Sequence, residues 1–261
     1  MPELPEIALS KKYIDSTSLH HKIVKVEFPQ KSLLQSPEKE FQNAMKGGEF
    51  KETRQLGKYL FLKIKEDSWL VFHFGMTGKL EYYSNQEAPK YTHMIIFFAN
   101  DYHLAFVCRR KLGKIYLTEG VEEFREEKSL GKDALDLSKE DFIELLQQKK
   151  GSIKGAITDQ HVISGIGNVY ADEILYQCQI HPKTKSEKLS EKERAAVYQK
   201  TQTVLKTAIN NEGRRSQLPD NYLTPHRKEG ADCPKCSGKV AMIKVSGRST
   251  YFCPECQKEK S

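Results

Sequence analysis

Two Cys-x-x-Cys pairs near the C-terminus, Cys233 with Cys236 and Cys253 with Cys256, constrain this chain more than any other feature of it. The 16 residues between the pairs match the spacing of a four-thiolate zinc ribbon. Each pair offers two sulfurs from one turn. The intervening VAMIKV, SGRS and TYF read as a hairpin whose return strand brings the second pair to the same ion. Four thiolates leave no open coordination position, so the expected single zinc ion is structural. The hairpin also puts Gly247 and Arg248 at its tip, where an arginine either reaches a phosphate or stays solvated. Cys108 and Cys178 stand alone and read as packing residues.

Such a ribbon is too small to account for 261 residues, a length that suits two modest domains beside it. Lys and Arg outnumber Asp and Glu by 42 to 35, a formal charge of +7 that suits a polyanionic partner without demanding one. No apolar run approaches the roughly 18 residues of a membrane span, and MPELPEIALSKK lacks the order of a secretory signal. The expectation is a cytoplasmic monomer with no membrane partner.

Residues 3 to 18 place Leu4, Ile7, Ala8 and Ile14 at helical spacing, predicting a helix almost at the chain start. From Lys22 to about Leu117 the runs KIVKVEF, YLFLKI, SWLVFHF, HMIIFF, HLAFV and KIYL predict strands of an antiparallel sandwich or barrel. The charged stretch GVEEFREEKSLGKDALD predicts a boundary near 130. Helical periodicity follows in KEDFIELLQQKK, NVYADEILYQC and EKERAAVYQKTQTVLKTAINN. The chain is thus α+β and multidomain, with boundaries expected at 1–130, 131–218 and 219–261.

At the chain start, Pro2 follows a Met1 that a small second residue normally allows to be removed, which would leave a free secondary amine. An α-amino group titrating near pH 8 is a competent nucleophile toward a sugar C1′. Glu3 beside it could move a proton at the same carbon. Taken alone, Pro-Glu at a terminus equally describes an ordinary helix start.

The opening MPELPE, together with GKYL at 57–60, HFGMTG at 73–78, GIGNVYADEIL at 165–175 and GRSTYFCPECQ at 247–257, resembles the formamidopyrimidine-DNA glycosylase and endonuclease VIII family over nearly the whole chain and in the family's order. The resemblance implies an N-terminal β-sandwich with a leading helix, a helix-two-turn-helix domain and a zinc ribbon, with DNA bound in a cleft between the halves. It implies Pro2 as nucleophile and Glu3 as the acid that helps open the sugar. Glu6 matches a further acid of the opening motif, Lys58 a phosphate-contacting lysine, Asn168 a phosphate-binding asparagine and Arg248 the ribbon arginine. Lys154 falls where the family often has a basic residue near the lesion. Met76 matches an intercalating methionine and Arg110 the arginine that meets the orphaned opposite base.

Two departures stand out. Where the family reads Asp-x-Arg-x-Phe-Gly, this chain has CRRKLG, so that Leu112 replaces the aromatic wedge and Cys108 the aspartate. Between Asn211 and the ribbon, GRRSQLPDNYLTPHRKEGAD is shorter than the loop that closes over 8-oxoguanine in purine-specific relatives. The expected activity is base-excision repair: removal of oxidised or ring-opened bases from damaged double-stranded DNA, with β,δ-elimination at the abasic site through a proline Schiff base. Formamidopyrimidines and oxidised pyrimidines are favoured over 8-oxoguanine. The alternative is a non-catalytic zinc-ribbon protein that recognises damaged DNA and has no use for Pro2 or Glu3.

Overall fold

β-Branched and aromatic residues at every second position turn much of the first half of the chain into strands. The computed structural model describes residues 1–84 and 87–259. It divides into two units, Met1–Pro2 with Glu6–Ser129, and Glu3–Pro5 with Leu130–Ser261.

The first unit runs α1 (Leu4–Thr17, its first two residues grouped with the second unit), β1 (Ile23–Glu27), α2 (Glu38–Met45), β2 (Glu52–Leu56), β3 (Tyr59–Lys65), β4 (Ser68–His73), β5 (Gly78–Ser84), β6 (Thr92–Phe98), β7 (Tyr102–Cys108), β8 (Lys114–Thr118) and α3 (Val121–Glu127). Its strands form two antiparallel four-stranded sheets, ordered β1-β6-β7-β5 and β2-β3-β4-β8. Alternate residues of both sheets meet in one core: Leu60, Leu62 and Ile64 of β3, Leu70 and Phe72 of β4, Met94, Ile96 and Phe98 of β6, and Leu104, Phe106 and Cys108 of β7. Ile7 and Ile14 of α1 and Phe41 and Met45 of α2 join it. The result is a sandwich of two separate sheets rather than a closed barrel, with Cys108, at the end of β7, buried as a packing residue in its core.

Four elements of this unit depart from the expected pattern. β2 and β5 end their sheets. A sheet-edge strand needs few apolar residues, so ETRQL and GKLEYYS carry little strand signal. α2 is only two turns long and buries Phe41 and Met45 alone. The charged segment after β8 contains α3, whose one large apolar side chain, Phe124, is 1 % exposed and packs edge-on against Tyr59, Phe61 and Tyr116.

The second unit holds β9 (Lys132–Asp133), α4 (Lys139–Gln148), α5 (Ile153–Thr158), β10 (Ile163–Ser164), α6 (Asn168–Gln177), α7 (Glu191–Asn210), β11 (Ala241–Val245) and β12 (Arg248–Phe252). β9 and β10 pair in parallel, β11 and β12 as an antiparallel hairpin. Ser138 and Ser152 cap α4 and α5 by accepting from Asp141 N and Gly155 N, and Ser190 with Glu193 closes a capping box on α7. Phe142, Leu146, Ile157, Ala171, Ile174, Leu175, Val204 and Leu205 share the helical core. α5 gave no sequence signal because it is six residues long and contains Gly155. No helix among the described residues is long and apolar enough to cross a membrane.

Candidate nucleic-acid interface and amine site

An α-helix begins with backbone N–H groups that have no partner inside the helix. At the start of α6 a carboxylate supplies one. Glu3, 2 % exposed, accepts from Gly167 N at 2.8 Å, Val169 N at 2.9 Å and Tyr170 N at 3.3 Å. Its negative charge sits at the positive end of the helix dipole. A Cβ at Gly167 would lie 2.2 Å from Glu3 Cδ, so this approach requires glycine. Leu4 N donates to Gly165 O at 3.1 Å and continues the tether. Pro2, half-buried, is thus bonded to a residue whose side chain is locked in place. Glu6 lies in the first turn of α1, where its carbonyl accepts from Ser10 Oγ.

The first residue of α6, Asn168, donates through Nδ2 to Ser249 O at 2.9 Å, which ties the helix to β12. Its Oδ1 accepts no hydrogen bond among the described residues. Arg248 is exposed at the start of β12, after the two-residue Ser246–Gly247 turn. Gly155, Thr158, Asp159, Gln160, His161, Ser246 and Arg248 line an open cleft of about 390 Å³.

The ribbon's four sulfurs all lie within 4.8 Å of one another. Cys233–Cys256, Cys236–Cys253 and Cys236–Cys256 are 3.7, 3.6 and 3.4 Å apart. Sulfurs at about 2.3 Å from a tetrahedral zinc are separated by roughly 3.8 Å, so the cluster has the size of a ZnS4 site. The thiolates complete that ion's coordination, and its contribution is to hold β11 and β12 in place.

Lys154 lies inside the second unit, in a cage of charges. Its side chain is 1 % exposed. The ammonium pairs with Asp172 Oδ1 at 2.6 Å and donates to Thr250 Oγ1 at 2.6 Å. Asp172 Oδ2 also accepts from Arg227 at 2.8 Å and from Tyr251 N at 3.1 Å. Burial pushes the Lys154 pKa down and the Asp172 pKa up, and the opposite charges counter both shifts. A lysine in this cage ties the hairpin to α5 and α6. The adjacent Glu173, fully buried, accepts from Leu223 N and from Thr224 N and Oγ1. Sequence reasoning missed Asp172, Glu173 and Arg227. Their signal was present: two acids inside the otherwise apolar NVYADEIL imply buried charges that need partners.

In the first unit Lys58 occupies the Gly57–Lys58 turn between β2 and β3 and is 6 % exposed, so it is not a solvated surface lysine. Burial, together with the charges of Lys58 and Lys114, lowers His73 to about 4 and keeps its imidazole neutral. Met76 and Leu112, 42 % and 49 % exposed, are not sandwich core. Their turns touch: a Cβ at Gly75 would meet the Leu112 carbonyl at 2.4 Å, and Arg110 N donates to Thr77 Oγ1 at 3.0 Å. Met76, Arg110 and Leu112 therefore stand on one rim of the sandwich, with Thr77 steadying the backbone of Arg110.

A β-sandwich, a helical unit carrying a capped α6 and a four-cysteine ribbon together define a class of DNA-repair glycosylases. Residues 1–115 match the formamidopyrimidine-DNA glycosylase N-terminal domain, 130–220 its H2TH domain and 232–258 the zinc finger found in these glycosylases and in isoleucyl-tRNA synthetase. The formamidopyrimidine-DNA glycosylase of Pelotomaculum thermopropionicum is 33 % identical over 276 residues, covering 100 % of both chains. That of Listeria innocua is 31 % identical over 99 % of this chain and 100 % of its own. The Lactococcus lactis enzyme, in a crystal structure bound non-covalently to DNA containing an abasic site, superposes with a TM-score of 0.89 at 26 % identity, covering 98 % of this chain and 100 % of that one. The same enzyme bound to DNA containing a formamidopyrimidine deoxyguanosine gives a TM-score of 0.89, with the same identity and coverage. The chain belongs to the formamidopyrimidine-DNA glycosylase family, whose members are bifunctional glycosylases and abasic-site lyases. Full-length membership sets aside the non-catalytic alternative.

Proposed function

We propose that this protein excises oxidised or ring-opened bases from duplex DNA and cleaves the strand at the resulting site, with the amine of Pro2 as nucleophile. The observation that carries this reading is the triple backbone anchorage of Glu3, which fixes the residue next to Pro2. A base stacked in a duplex is out of reach of an amine, so the damaged nucleotide is first extruded. Met76 and Leu112 fill the gap, and Arg110 faces the orphaned base. Lys58, Asn168 and Arg248 hold phosphates on the damaged strand.

The Pro2 nitrogen then attacks C1′ as the C1′–base bond breaks, the departing base taking a proton from water; the Glu3 carboxylate accepts the proton that the Pro2 nitrogen sheds and passes it to O4′ as the C1′–O4′ bond opens and the iminium forms. The resulting iminium acidifies the C2′ proton. Its removal expels the 3′ phosphate, a second elimination expels the 5′ phosphate, and hydrolysis returns the free amine. Zinc takes no part in these steps. Short coverage between Asn211 and the ribbon favours formamidopyrimidines and oxidised pyrimidines over 8-oxoguanine.

Borohydride reduction during incubation with labelled duplexes tests the reading. A covalent adduct on abasic DNA, lost in Pro2→Gly with an acetylated terminus, is the expected result, and adduct yields across lesions rank the substrates. No adduct from protein with a free Pro2 would overturn amine catalysis.

A further inference from the structure

A hydroxyl buried away from water needs an acceptor, and the tyrosine in the last turn of α6 finds a metal ligand. Tyr176 is fully buried, and its Oη lies 3.1 Å from Cys233 Sγ, its one hydrogen bond among the described residues. A cysteine that ligates zinc is a thiolate with no proton of its own, so the phenol is the donor. The other donors to these sulfurs belong to the ribbon itself. Gly238 N reaches Cys236 Sγ at 3.3 Å, and the backbone N–H groups of Lys235 and of Glu255 and Cys256 serve Cys233 and Cys253. Tyr176 comes instead from a different element, 57 residues earlier in the chain. Its neighbour strengthens the same grip. Lys235, between the two cysteines of the first pair, donates to Gln177 Oε1 at 2.8 Å and sets its ammonium 4.7 Å from the centroid of the Tyr176 ring. Leu223, Val240 and Cys253 share the apolar cluster around that ring.

Four thiolates on a divalent ion leave a surplus of negative charge in a poorly solvated place, and each donor aimed at a sulfur offsets part of it. We infer that Tyr176 is a positioning residue for the metal: its hydroxyl holds the Cys233 thiolate on the zinc and so sets how tightly this chain retains the ion. The bond makes the last turn of α6 a part of the metal site. The helix whose first residue, Asn168, tethers β12 thus secures at its other end the ion that braces the same strand.

Tyr176→Phe removes the oxygen and keeps the ring, and two properties of the full-length protein then test the inference. The first is zinc affinity, from competition against a chelator of known strength. Removing the partner of a metal ligand typically weakens binding about 10–100-fold, and the variant should lose zinc to the chelator by that factor. The second is the sulfur-to-cobalt charge-transfer absorption of protein loaded with Co(II) in place of zinc. A hydrogen bond lowers the energy of the sulfur lone pair, so its loss should move this band to longer wavelength, which looser packing around the ring would not do. Unchanged zinc affinity overturns the inference. So does weakened affinity with an unmoved band, since the loss then belongs to packing. If circular dichroism shows that Tyr176→Phe does not fold, a ring-fluorinated tyrosine placed at position 176 runs the test in the opposite sense. Its more acidic phenol is the stronger donor and should move the band to shorter wavelength, and an unmoved band again overturns the inference. No DNA enters either measurement, so the result is independent of the Pro2 reading.

Discussion

Asp172 carries a single negative charge between two cations at a point that solvent does not reach. Desolvating such a group is unfavourable, and its removal leaves the remaining charges buried without a partner. Asp172→Asn is therefore expected to lower the unfolding free energy by about 3–5 kcal/mol in guanidinium titrations. A loss under about 1 kcal/mol would mean that Lys154 and Arg227 find other partners. His73 makes a pH-dependent contribution of known sign. Its ordinary value is 6.5 and its value in the fold about 4. Above pH 6.5 the imidazole is neutral whether the chain is folded or not, and its contribution is intact. As pH falls from 6.5 toward 4, the unfolded chain takes up a proton that the folded chain refuses, and stability is lost across that window. His73→Phe should flatten the acid limb of the melting-temperature profile between those values. An unchanged limb would show that the imidazole titrates normally in the fold.

The two turns that carry Met76 and Leu112 act as one element because their backbones nearly touch. Gly75 has φ +57°, and its hydrogen points at the Leu112 carbonyl where a methyl would sit at 2.4 Å. Gly75→Ala should push the turns apart, reduce strand cleavage roughly tenfold or more as a wedge is misplaced, and leave the rest of the sandwich folded. The fluorescence of 2-aminopurine opposite the lesion measures the unstacking directly, and a wild-type signal from the variant would sink the idea. Elements differ in how plainly the sequence announces them. Central strands such as YLFLKI and HMIIFF, and long helices such as α7, bury one whole face and so advertise their period. β2 and β5 lie at sheet edges, α2, α3 and α5 are too short for a period to emerge, and Phe124 works through tertiary contact alone. The candidate site follows the same division. The cysteine spacing and the family motifs were legible residue by residue. The burial of Lys154 was not, because its partner Asp172 lies 18 positions away and is fixed by how α5 meets α6.

At the scale of the molecule, the zinc cluster and the phosphate contacts proposed for Asn168 and Arg248 are expected to fail together while the sandwich survives. Three bonds join the second strand of the ribbon to the helices: Asn168 to Ser249, Asp172 to Tyr251 and Lys154 to Thr250. Each requires β12 to be paired with β11, and the ribbon's small apolar cluster is Val240 with its cysteines, packed against Tyr176 of α6 and Leu223. A two-stranded hairpin is at best marginal in water, so the four thiolates and their ion supply much of its stability. Removing the metal with a mercurial reagent should release one equivalent of zinc, detectable with a chromogenic chelator. DNA binding should fall in step with release, because Arg248 loses its support and Asn168 its tether. The single tryptophan, Trp69, lies in β4 and is 4 % exposed, so its fluorescence reports the first unit alone. Its emission should stay blue-shifted until denaturant is added. Binding that survives full release would show that the ribbon is dispensable for holding DNA, whereas a red shift of Trp69 accompanying release would show that the two units share one cooperative transition.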